Sequence, residues 1–415
     1  MSQASPDDEH DRMQAAQIAG IEAILAQLPD DHVEVPFLQA RLHAGRGDID
    51  AAQRVLAAGI YRNFPVIAAD RVLLEKALAA LFLGRCFDLM SSLIAATHGQ
   101  HILVDASDPQ PDINLASVVR WQVAGDGATA FRFHDAIFRH GFMETLVQRW
   151  VSVLRLFLPH LQARDIPSGE VMLNLEDRGV LPGLAFCDNR PEFFLIPDAT
   201  FAGLDGYAEV KRHFVDHGVP WEQRRPVAFW RGATTGWHTA AGTPVADWRE
   251  LPRIKLCALA QAPVARELLD AAITGVVQID DPQAAAEIER CGYLRPYAPN
   301  TDVQNYKFNI DIDGNTNSWP GLFSKLCAGS PVLKVQSAGG FRQWYYERLT
   351  PWENFVPVQA DMSDLIEKVA WLACHDEIAC QIGRNGAQLA YAMTVQSEAL
   401  AVGPTIRAAF RWAGG

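Results

Sequence analysis

The segment at residues 306–335 constrains the fold more than any other part of the chain. Alternating apolar residues at 306–312 predict a strand, which stops at Asp313-Gly314 and leads into a polar Asn-Thr-Asn-Ser turn. A short helix that carries Lys325 and a second apolar strand at 331–335 follow. The pattern predicts a β-turn-α-β unit with a polar crevice at the carboxyl end of the first strand, where open α/β sheets bind ligands.

Composition favours a folded chain with a large core. The 415 residues are 49% hydrophobic and 20% charged, which predicts two or three units. The formal net charge of -13 argues against a nucleic-acid partner, because neutralising phosphates requires clustered Lys and Arg. The seven cysteines form no C-x-x-C pair, so we expect reduced, mostly buried thiols rather than zinc or redox chemistry.

The start of the chain and its hydropathy predict its location. The first residues, MSQASPDDEHDRM, are acidic and polar, so no secretory signal is expected. No apolar run approaches the ~20 residues that span a bilayer. We therefore expect a cytoplasmic protein that can associate peripherally with the inner membrane.

Helical periodicity dominates the first hundred residues. Apolar residues recur at helical spacing across 15–83, between the breakers Pro29-Asp30, Gly45-Arg46-Gly47 and Gly59, which predicts short antiparallel helices. Their packing is tetratricopeptide-like, although no repeat at a fixed period of ~34 residues is visible. We expect this module to dock a protein partner or a second copy of the chain.

After His98 strands and helices alternate. Gly125-Asp126-Gly127 lies between two alternating runs, as the turn of a hairpin does. Helix, strand and loop then recur to about Thr394, which predicts two doubly wound α/β halves facing one another. A final amphipathic helix is predicted at 361–392.

The order of these motifs resembles glycosyltransferase family 90, which includes protein O-glucosyltransferases, fungal capsule xylosyltransferases and bacterial lipopolysaccharide-modifying transferases. The resemblance consists of a K/Y-rich strand, D-x-D-G, Ser, S-x-V-L-K, L-x-P-W-x-N-F-V-P-V and D-x-S-D-L, and it covers roughly 171–394. With the helical N-terminus, it implies an α/β, GT-B-like fold of two facing Rossmann-type domains and an N-terminal all-helical extension. The predicted domains are a helical module at 1–98, an acceptor-side α/β domain at 99–222, a nucleotide-sugar-binding α/β domain with a C-terminal crossing helix at 223–395, and a tail at 396–415.

An acidic pair ends the predicted strand that runs into Asn174. A carboxylate at the carboxyl edge of a sheet suits a general base for an acceptor hydroxyl, and inverting sugar transfer needs one. The resemblance assigns this role to Asp177, with Glu176 as the alternative because Glu-Asp-Arg-Gly replaces the commoner Arg-Asp-Tyr of relatives. On position alone, a carboxylate that caps the turn or pairs with Arg178 is the simpler interpretation.

The segment FWRGATTG offers a cation, hydroxyls and backbone N–H groups to a pyrophosphate. It is similar to a family element that contains Arg231, and Arg253 falls where relatives carry a second arginine. The two would neutralise charge on the leaving nucleotide diphosphate. Without the family context, a surface ion pair explains Arg231 equally well, and His238 is more simply an exposed loop histidine than a donor contact.

The D-x-D motif at Asp311 and Asp313 can hold a divalent metal in other transferases. Two carboxylates on one strand face need a counter-charge, which Lys307, four residues before Asp311 on that face, would supply. The resemblance implies metal-independent transfer in which this loop contacts the nucleotide. No cofactor is therefore expected besides the UDP-sugar co-substrate.

The same loop departs from the family pattern. Many relatives place an arginine two residues after the loop serine, whereas Ser318 is followed by Trp319-Pro320. Lys325, Ser318 and the backbone of a helix that begins at Pro320 are the candidates to replace it. Trp319 either stacks on the base or, as is commoner for an isolated tryptophan, packs in the core.

The leading hypothesis is an inverting glycosyltransferase that moves a sugar from a UDP-sugar to a hydroxyl of a glycan or lipopolysaccharide core. The alternative, kept open by the missing loop arginine, is a catalytically weak nucleotide- or glycan-binding protein with a partner-docking helical module; a glycoside hydrolase is a third. The predicted catalytic residues are Asp177 and Glu176. The predicted donor-binding residues are Arg231, Gly232, Thr234, Thr235, Gly236, Arg253, Lys307, Asp313, Gly314, Asn317, Ser318, Trp319 and Lys325.

Overall fold

A computed structural model of the chain describes residues 6–108, 113–236, 247–279 and 281–414. The fold is mixed α/β, as predicted, and divides into unit 1, Met1–Leu184 with Gly403–Gly415, and unit 2, Ala185–Val402. The GT-B arrangement stays a prediction. Within the described residues no helix has the length and apolar character needed to cross a membrane.

The helices and strands have the following bounds. The helices are α1 (Pro6–Leu25), α2 (Val35–Gly45), α3 (Ile49–Ala69), α4 (Arg71–Leu83), α5 (Phe87–His98), α6 (Met143–Ala163), α7 (Ala199–Gly203), α8 (Ala208–His217), α9 (Pro252–Gln261), α10 (Pro282–Arg290), α11 (Trp319–Cys327), α12 (Leu365–Cys374), α13 (Asp376–Ala392), α14 (Val395–Ala401) and α15 (Gly403–Ala413). The strands are β1 (Ile102–Asp108), β2 (Val118–Val123), β3 (Thr129–His134), β4 (Gly169–Asn174), β5 (Gly183–Ala185), β6 (Cys187–Asp188), β7 (Phe193–Leu195), β8 (Arg225–Ala233), β9 (Leu269–Gly275), β10 (Tyr306–Asp311), β11 (Val332–Val335), β12 (Arg342–Gln343) and β13 (Val356–Val358).

Helices α1 to α5 confirm the helical start of the chain, but the prediction that Gly59 breaks a helix is wrong. Helix α3 continues through Gly59 to Ala69. A Cβ at Gly59 would lie 2.2 Å from the Cβ of Pro36, so the glycine allows α2 and α3 to approach closely. Tertiary packing, and not chain reversal, explains this glycine.

The sheet of unit 1 contains strands in the order β1-β3-β2-β4-β5. Strands β2 and β3 form the predicted hairpin, with Val119 opposite Phe133. Because β2 is antiparallel to both β3 and β4, this sheet is mixed and departs from the Rossmann-type arrangement predicted for this half. Helix α6 covers it through Trp150, and α15, inside the predicted tail, places Phe410 5.2 Å from Trp121.

The sheet of unit 2 is parallel throughout, in the order β13-β11-β10-β8-β9. The predicted strand, helix and strand at 306–335 are confirmed as β10, α11 and β11. The predicted final helix at 361–392 is two helices, α12 and α13, because the chain leaves the helical conformation at His375. Parallel pairing aligns the carboxyl ends of β8 and β10, which brings the loops after them together.

Candidate active site

The loops after β8 and β10 interlock at the carboxyl edge of the unit 2 sheet. The N–H of Gly236 donates to Oδ1 of Asn315 at 3.0 Å. Gly236 has a φ of +109°, and a Cβ there would lie 3.0 Å from the carbonyl oxygen of Gly314. A Cβ at Gly314 would in turn lie 2.7 Å from Oγ1 of Thr235. Both glycines are therefore required for this close approach.

Arg253, in the first turn of α9, joins the two loops. Its Nε donates to the carbonyl oxygen of Asp313 at 3.0 Å, and its Nη1 donates to that of Ala233 at 3.1 Å and to Oγ1 of Thr235 at 2.5 Å. Burial lowers the pKa of Arg253, while the nearby carboxylates Asp311 and Asp313 oppose that shift. The structure thus brings together the two sequence motifs that contain Arg231 and Asp313.

Arg231 lies on β8 and is engaged within the sheet. Its Nη2 donates to Oδ1 of Asp270 at 2.6 Å, and its Nη1 donates to the carbonyl oxygen of Asp270 at 2.8 Å. The guanidinium also lies 4.5 Å from the ring centroid of Phe229. These contacts fix the orientation of the cation and partly neutralise it. Of its loop neighbours, Thr234 is buried and exchanges hydrogen bonds with the backbone of Val277.

Asp311 is fully buried between two lysines. Lys325 Nζ lies 2.9 Å from Oδ1 and Lys334 Nζ lies 3.4 Å from Oδ2. Burial opposes ionisation of Asp311, but the two ammonium groups outweigh it and hold the pKa of this carboxyl below its usual value. Burial also lowers the pKa of Lys325, against the pull of Asp311.

The prediction that Lys307 supplies the counter-charge is wrong. Lys307 Nζ pairs with Oδ1 of Asp376 at 2.5 Å. Lys307 shares a strand face with Asp311, but four residues of extended strand separate the two by about 13 Å. Lys307 lies near the start of β10, whereas the site lies at its carboxyl end. Sequence reasoning missed Lys334, which stands in the quoted S-x-V-L-K motif and pairs in register with Asp311.

Asp313 has a different environment from Asp311. Its Oδ1 accepts from Nδ2 of Asn317 at 3.2 Å and lies 3.8 Å from Nζ of Lys334. Its Oδ2 is buried without a hydrogen-bond partner in the described residues. Burial raises the pKa of Asp313 despite Lys334. Asn317 also accepts from the thiol of Cys187 at 3.0 Å, which anchors the loop.

Ser318 precedes α11 as its N-cap, and Trp319 opens the helix. Trp319 is buried with its ring 5.3 Å from that of Phe186 at 78°, which confirms the core interpretation. A Cβ at Gly321 would lie 2.1 Å from Oγ of Ser318 and 3.5 Å from Nζ of Lys325. The glycine therefore makes room beside both polar groups.

A cavity of about 210 Å³ opens at this edge of the sheet. Its described lining includes three cations and no carboxylate. The predicted site residues among that lining are Arg231, Gly232, Arg253, Ser318 and Lys325. The other predicted donor residues shape the surrounding loops or, like Lys307, lie elsewhere, and His238 is outside the described residues.

The acidic pair follows β4 in unit 1. Arg149, from α6, places Nη2 3.1 Å from Oδ1 of Asp177 and Nη1 3.5 Å from Oε2 of Glu176. His140 Nε2 lies 4.0 Å from Oε1 of Glu176. The pairing of Arg149 with the acidic pair was not predicted from the sequence. Arg149 lies 28 residues before Asp177, and no local pattern connects residues at that separation.

Asn174 supports the turn that carries the acids. This buried side chain donates to the carbonyl oxygens of Leu181 at 2.8 Å and Leu184 at 2.9 Å, and it accepts from the N–H groups of Val180 and Leu181. All of its hydrogen-bonding capacity is therefore used to fix the loop. The carboxylates of Glu176 and Asp177 remain partly exposed, at 35% and 44% of their side-chain area.

In the described ranges no group of three or more His, Cys, Asp and Glu side chains is arranged to hold a metal ion. Both oxygens of Asp311 face lysine ammonium groups. A cation there would have to displace these groups.

The fold and site define an α/β protein with a parallel sheet and a cation-lined cavity, and open α/β sheets bind ligands at the carboxyl ends of their strands. Comparison with known families then places the chain more narrowly. The model of Glycosyl transferase family 90 matches residues 137–398, and the chain belongs to this family.

Proteins similar to this chain include eukaryotic and viral ones. Protein O-glucosyltransferase 2 of Danio rerio is 31% identical over 173 residues, which are 42% of this chain and 30% of the relative. Protein O-glucosyltransferase 3 of Rattus norvegicus is 27% identical over 237 residues, 55% of this chain and 39% of the relative. Uncharacterized protein 035R of Invertebrate iridescent virus 3 is 28% identical over 180 residues, 40% of this chain and 15% of the relative. The chain thus spans well under half the length of these relatives.

Proposed function

We propose that the chain transfers a sugar from a UDP-sugar to a hydroxyl of a glycan or lipopolysaccharide core, with inversion and without a metal. The observation that carries this proposal is the cavity lined by Arg231, Arg253 and Lys325, with no carboxylate among its described lining residues. Membership of a glycosyl transferase family and similarity to proteins named O-glucosyltransferases support sugar transfer.

The cations of the cavity suit the leaving group. As the bond between the anomeric carbon and the diphosphate breaks, negative charge develops on the nucleotide. Fixed cations in a partly buried site stabilise that charge without reorganising. Arg231 and Arg253 are held by several hydrogen bonds each, and Lys325 is held by Asp311, so all three are positioned before substrate binds. Lys325 takes the role of the missing loop arginine.

Asp177 is proposed as the general base, with Glu176 as the alternative. The acceptor hydroxyl gives its proton to the carboxylate while its oxygen attacks the anomeric carbon. Arg149 holds Asp177 in one orientation, and the carboxylate is exposed enough to meet a substrate. The pairing of both Asp311 oxygens with lysines supports transfer without a metal at that motif.

The deciding experiment measures release of UDP from a panel of UDP-sugars, with and without EDTA. We expect one donor to be selected, turnover to survive chelation, and Asp177→Asn to reduce turnover by about 10²–10⁴-fold, as loss of a general base does. Asp50→Asn, an exposed carboxylate at the start of α3, is the matched control. Loss of turnover in EDTA would contradict the metal-free mechanism.

The alternative is a nucleotide- or glycan-binding protein that is catalytically weak. One observation favours it: the position of the family's loop arginine is taken by Trp319-Pro320, and Trp319 is buried against Phe186. UDP binding that depends on Lys325 but is accompanied by no turnover of any donor would support this alternative.

A further inference from the structure

Unit 1 contains a second cavity, of about 350 Å³. It lies among α1, α2, the end of α4 and the segment that leads into α6. Its volume falls within the range of roughly 300–1,000 Å³ that is usual for small-molecule sites. The polar side chains in its lining are Gln17, Arg41, Arg85, His140 and Glu144.

The charges of this lining do not cancel. Glu144 forms an ion pair with Arg41 and accepts from Nε2 of Gln148 at 3.2 Å, so this carboxylate is satisfied. Arg85 has no carboxylate partner in the described residues; its guanidinium lies 4.1 Å from the ring centroid of Phe138. A positive charge is therefore left over at the cavity.

A further observation points to an anionic ligand. The Nε of Arg41 is buried and has no hydrogen-bond partner in the described part of the chain, and an unsatisfied buried donor is costly. An anionic ligand in the cavity would satisfy this donor and pair with the charge of Arg85.

His140 connects the cavity with the acidic pair. Its Nδ1 accepts from the N–H of Phe142 at 3.2 Å, so the neutral ring carries its proton on Nε2, which lies 4.0 Å from Oε1 of Glu176. Glu176 and Asp177 share Arg149. The cavity therefore adjoins the acidic pair within unit 1, through Glu176.

We propose that this cavity binds the anionic part of the acceptor, a sugar that bears a carboxylate or a phosphate. This inference rests on the proposed function, because it gives the acceptor of that reaction its chemistry. Arginine binds both anions through paired, charge-assisted hydrogen bonds, and Arg85 with Arg41 would hold the group. A neighbouring hydroxyl of the same glycan would then be the one that the acidic pair deprotonates.

The test titrates the full chain with glucuronate and with glucose 6-phosphate, using glucose and inorganic phosphate as comparators, by calorimetry. We expect an anionic sugar to bind more tightly than either comparator, and the better of the two identifies the anion. Arg85→Gln is expected to weaken that binding about tenfold or more, the effect of losing a charge-assisted hydrogen bond. Arg54→Gln removes the same charge from an exposed site on α3 and should change nothing.

A second variant tests the cavity without changing its charge. Ala44 lines it from α2, and Ala44→Leu should obstruct it and weaken binding while circular dichroism remains that of the wild type. Equal affinity for glucose and the anionic sugars, or affinity unchanged in both Arg85→Gln and Ala44→Leu, would overturn the inference. UDP release, measured with water alone and with glycan acceptors, tests the proposed function separately: binding of an anionic sugar by a chain that turns over no donor in either case would refute that function and leave an anionic-sugar site in the cavity.

Discussion

The Nζ of Lys325 lies 2.9 Å from Oδ1 of Asp311, and both side chains are buried. Lys325 lines the cation-rich cavity, whereas Asp311 is not among its lining residues. Lys334 occupies the other oxygen of the same carboxylate. The position of one cation of the cavity therefore depends on a buried acid outside the cavity lining.

Replacing Asp311 with asparagine should strongly destabilise unit 2. The substitution leaves the buried ammonium group of Lys325 without an ionised partner and removes the nearer carboxylate of Lys334, and breaking a buried pair in this way costs about 3–5 kcal/mol. Asp376→Asn, which breaks the more exposed pair with Lys307, should cost only about 0–1 kcal/mol. Urea unfolding of both variants and the wild type checks this, and equal losses would show that Asp311 is not the dominant partner of the lysines.

The pKa shifts of Asp311 and Asp313 have opposite signs, so their contributions to the free energy of unfolding should depend on pH in opposite ways. The pKa of Asp311 is held low, so its contribution is present above the unfolded value of about 3.9 and is lost as the pH falls through the lower folded value. Burial raises the pKa of Asp313, so its contribution is greatest below the unfolded value and is lost as the pH rises through the folded value. Asp313→Asn should therefore gain stability near neutral pH.

Urea unfolding between about pH 3 and pH 8 separates these two effects. We subtract the unfolding free energy of Asp313→Asn from that of the wild type. This difference should become more negative as the pH rises. A difference that is constant over this range would show that Asp313 titrates alike in the folded and unfolded states.

Gly321→Ala should impair donor binding more than stability. The new Cβ would meet Oγ of Ser318 at 2.1 Å and approach Nζ of Lys325, which moves a polar group out of place in the cavity. Loss of one charge-assisted hydrogen bond predicts that the Kd for UDP rises about tenfold. Gly20→Ala, in an open position on α1, is the matched helical control and should leave the Kd unchanged. Calorimetric titration with UDP measures both.

Arg149→Leu should lower kcat and leave the KM for the donor unchanged. The guanidinium holds Asp177 and Glu176 without lining the donor cavity, so its loss should misplace the base but not the nucleotide. Arg149→Lys should restore part of the rate, because lysine keeps the charge but not the forked geometry. UDP release measured against donor concentration distinguishes this from a rise in KM, which would place Arg149 in donor binding instead.

The sequence predicted those helices, strands and turns that depend on the apolar pattern and turn residues of the segment itself. The alternation at 306–312, the Asp313-Gly314 stop and the apolar run at 331–335 were sufficient for β10, α11 and β11. The hairpin at Gly125-Asp126-Gly127 was predictable for the same reason. Gly59 was misjudged because its role depends on Pro36, a contact between two helices that sequence spacing does not reveal.

In the candidate site, too, local motifs were predictable from the sequence, whereas contacts between separate elements were not. Arg231, Arg253 and Lys325 were identified from motifs, and they line one cavity. Asp270, which pairs with Arg231, and Lys334, which pairs with Asp311, were not, since each comes from a neighbouring strand whose register is known only after folding. Arg149 is a similar case in unit 1. Which pairs form across a sheet is the information that a single sequence lacks.

The hydrogen bonds that Arg253 donates to Ala233, Ile312 and Asp313 all end on main-chain carbonyl oxygens. Almost any residue offers the same acceptor, so positions of these two loops other than Gly236 and Gly314 can change their side chains without removing these three hydrogen bonds. If the chain has the proposed function, its donor preference can change over evolutionary time while Arg253 keeps its place beside the cavity. Diversity of sugar substrates on one scaffold is the expected result.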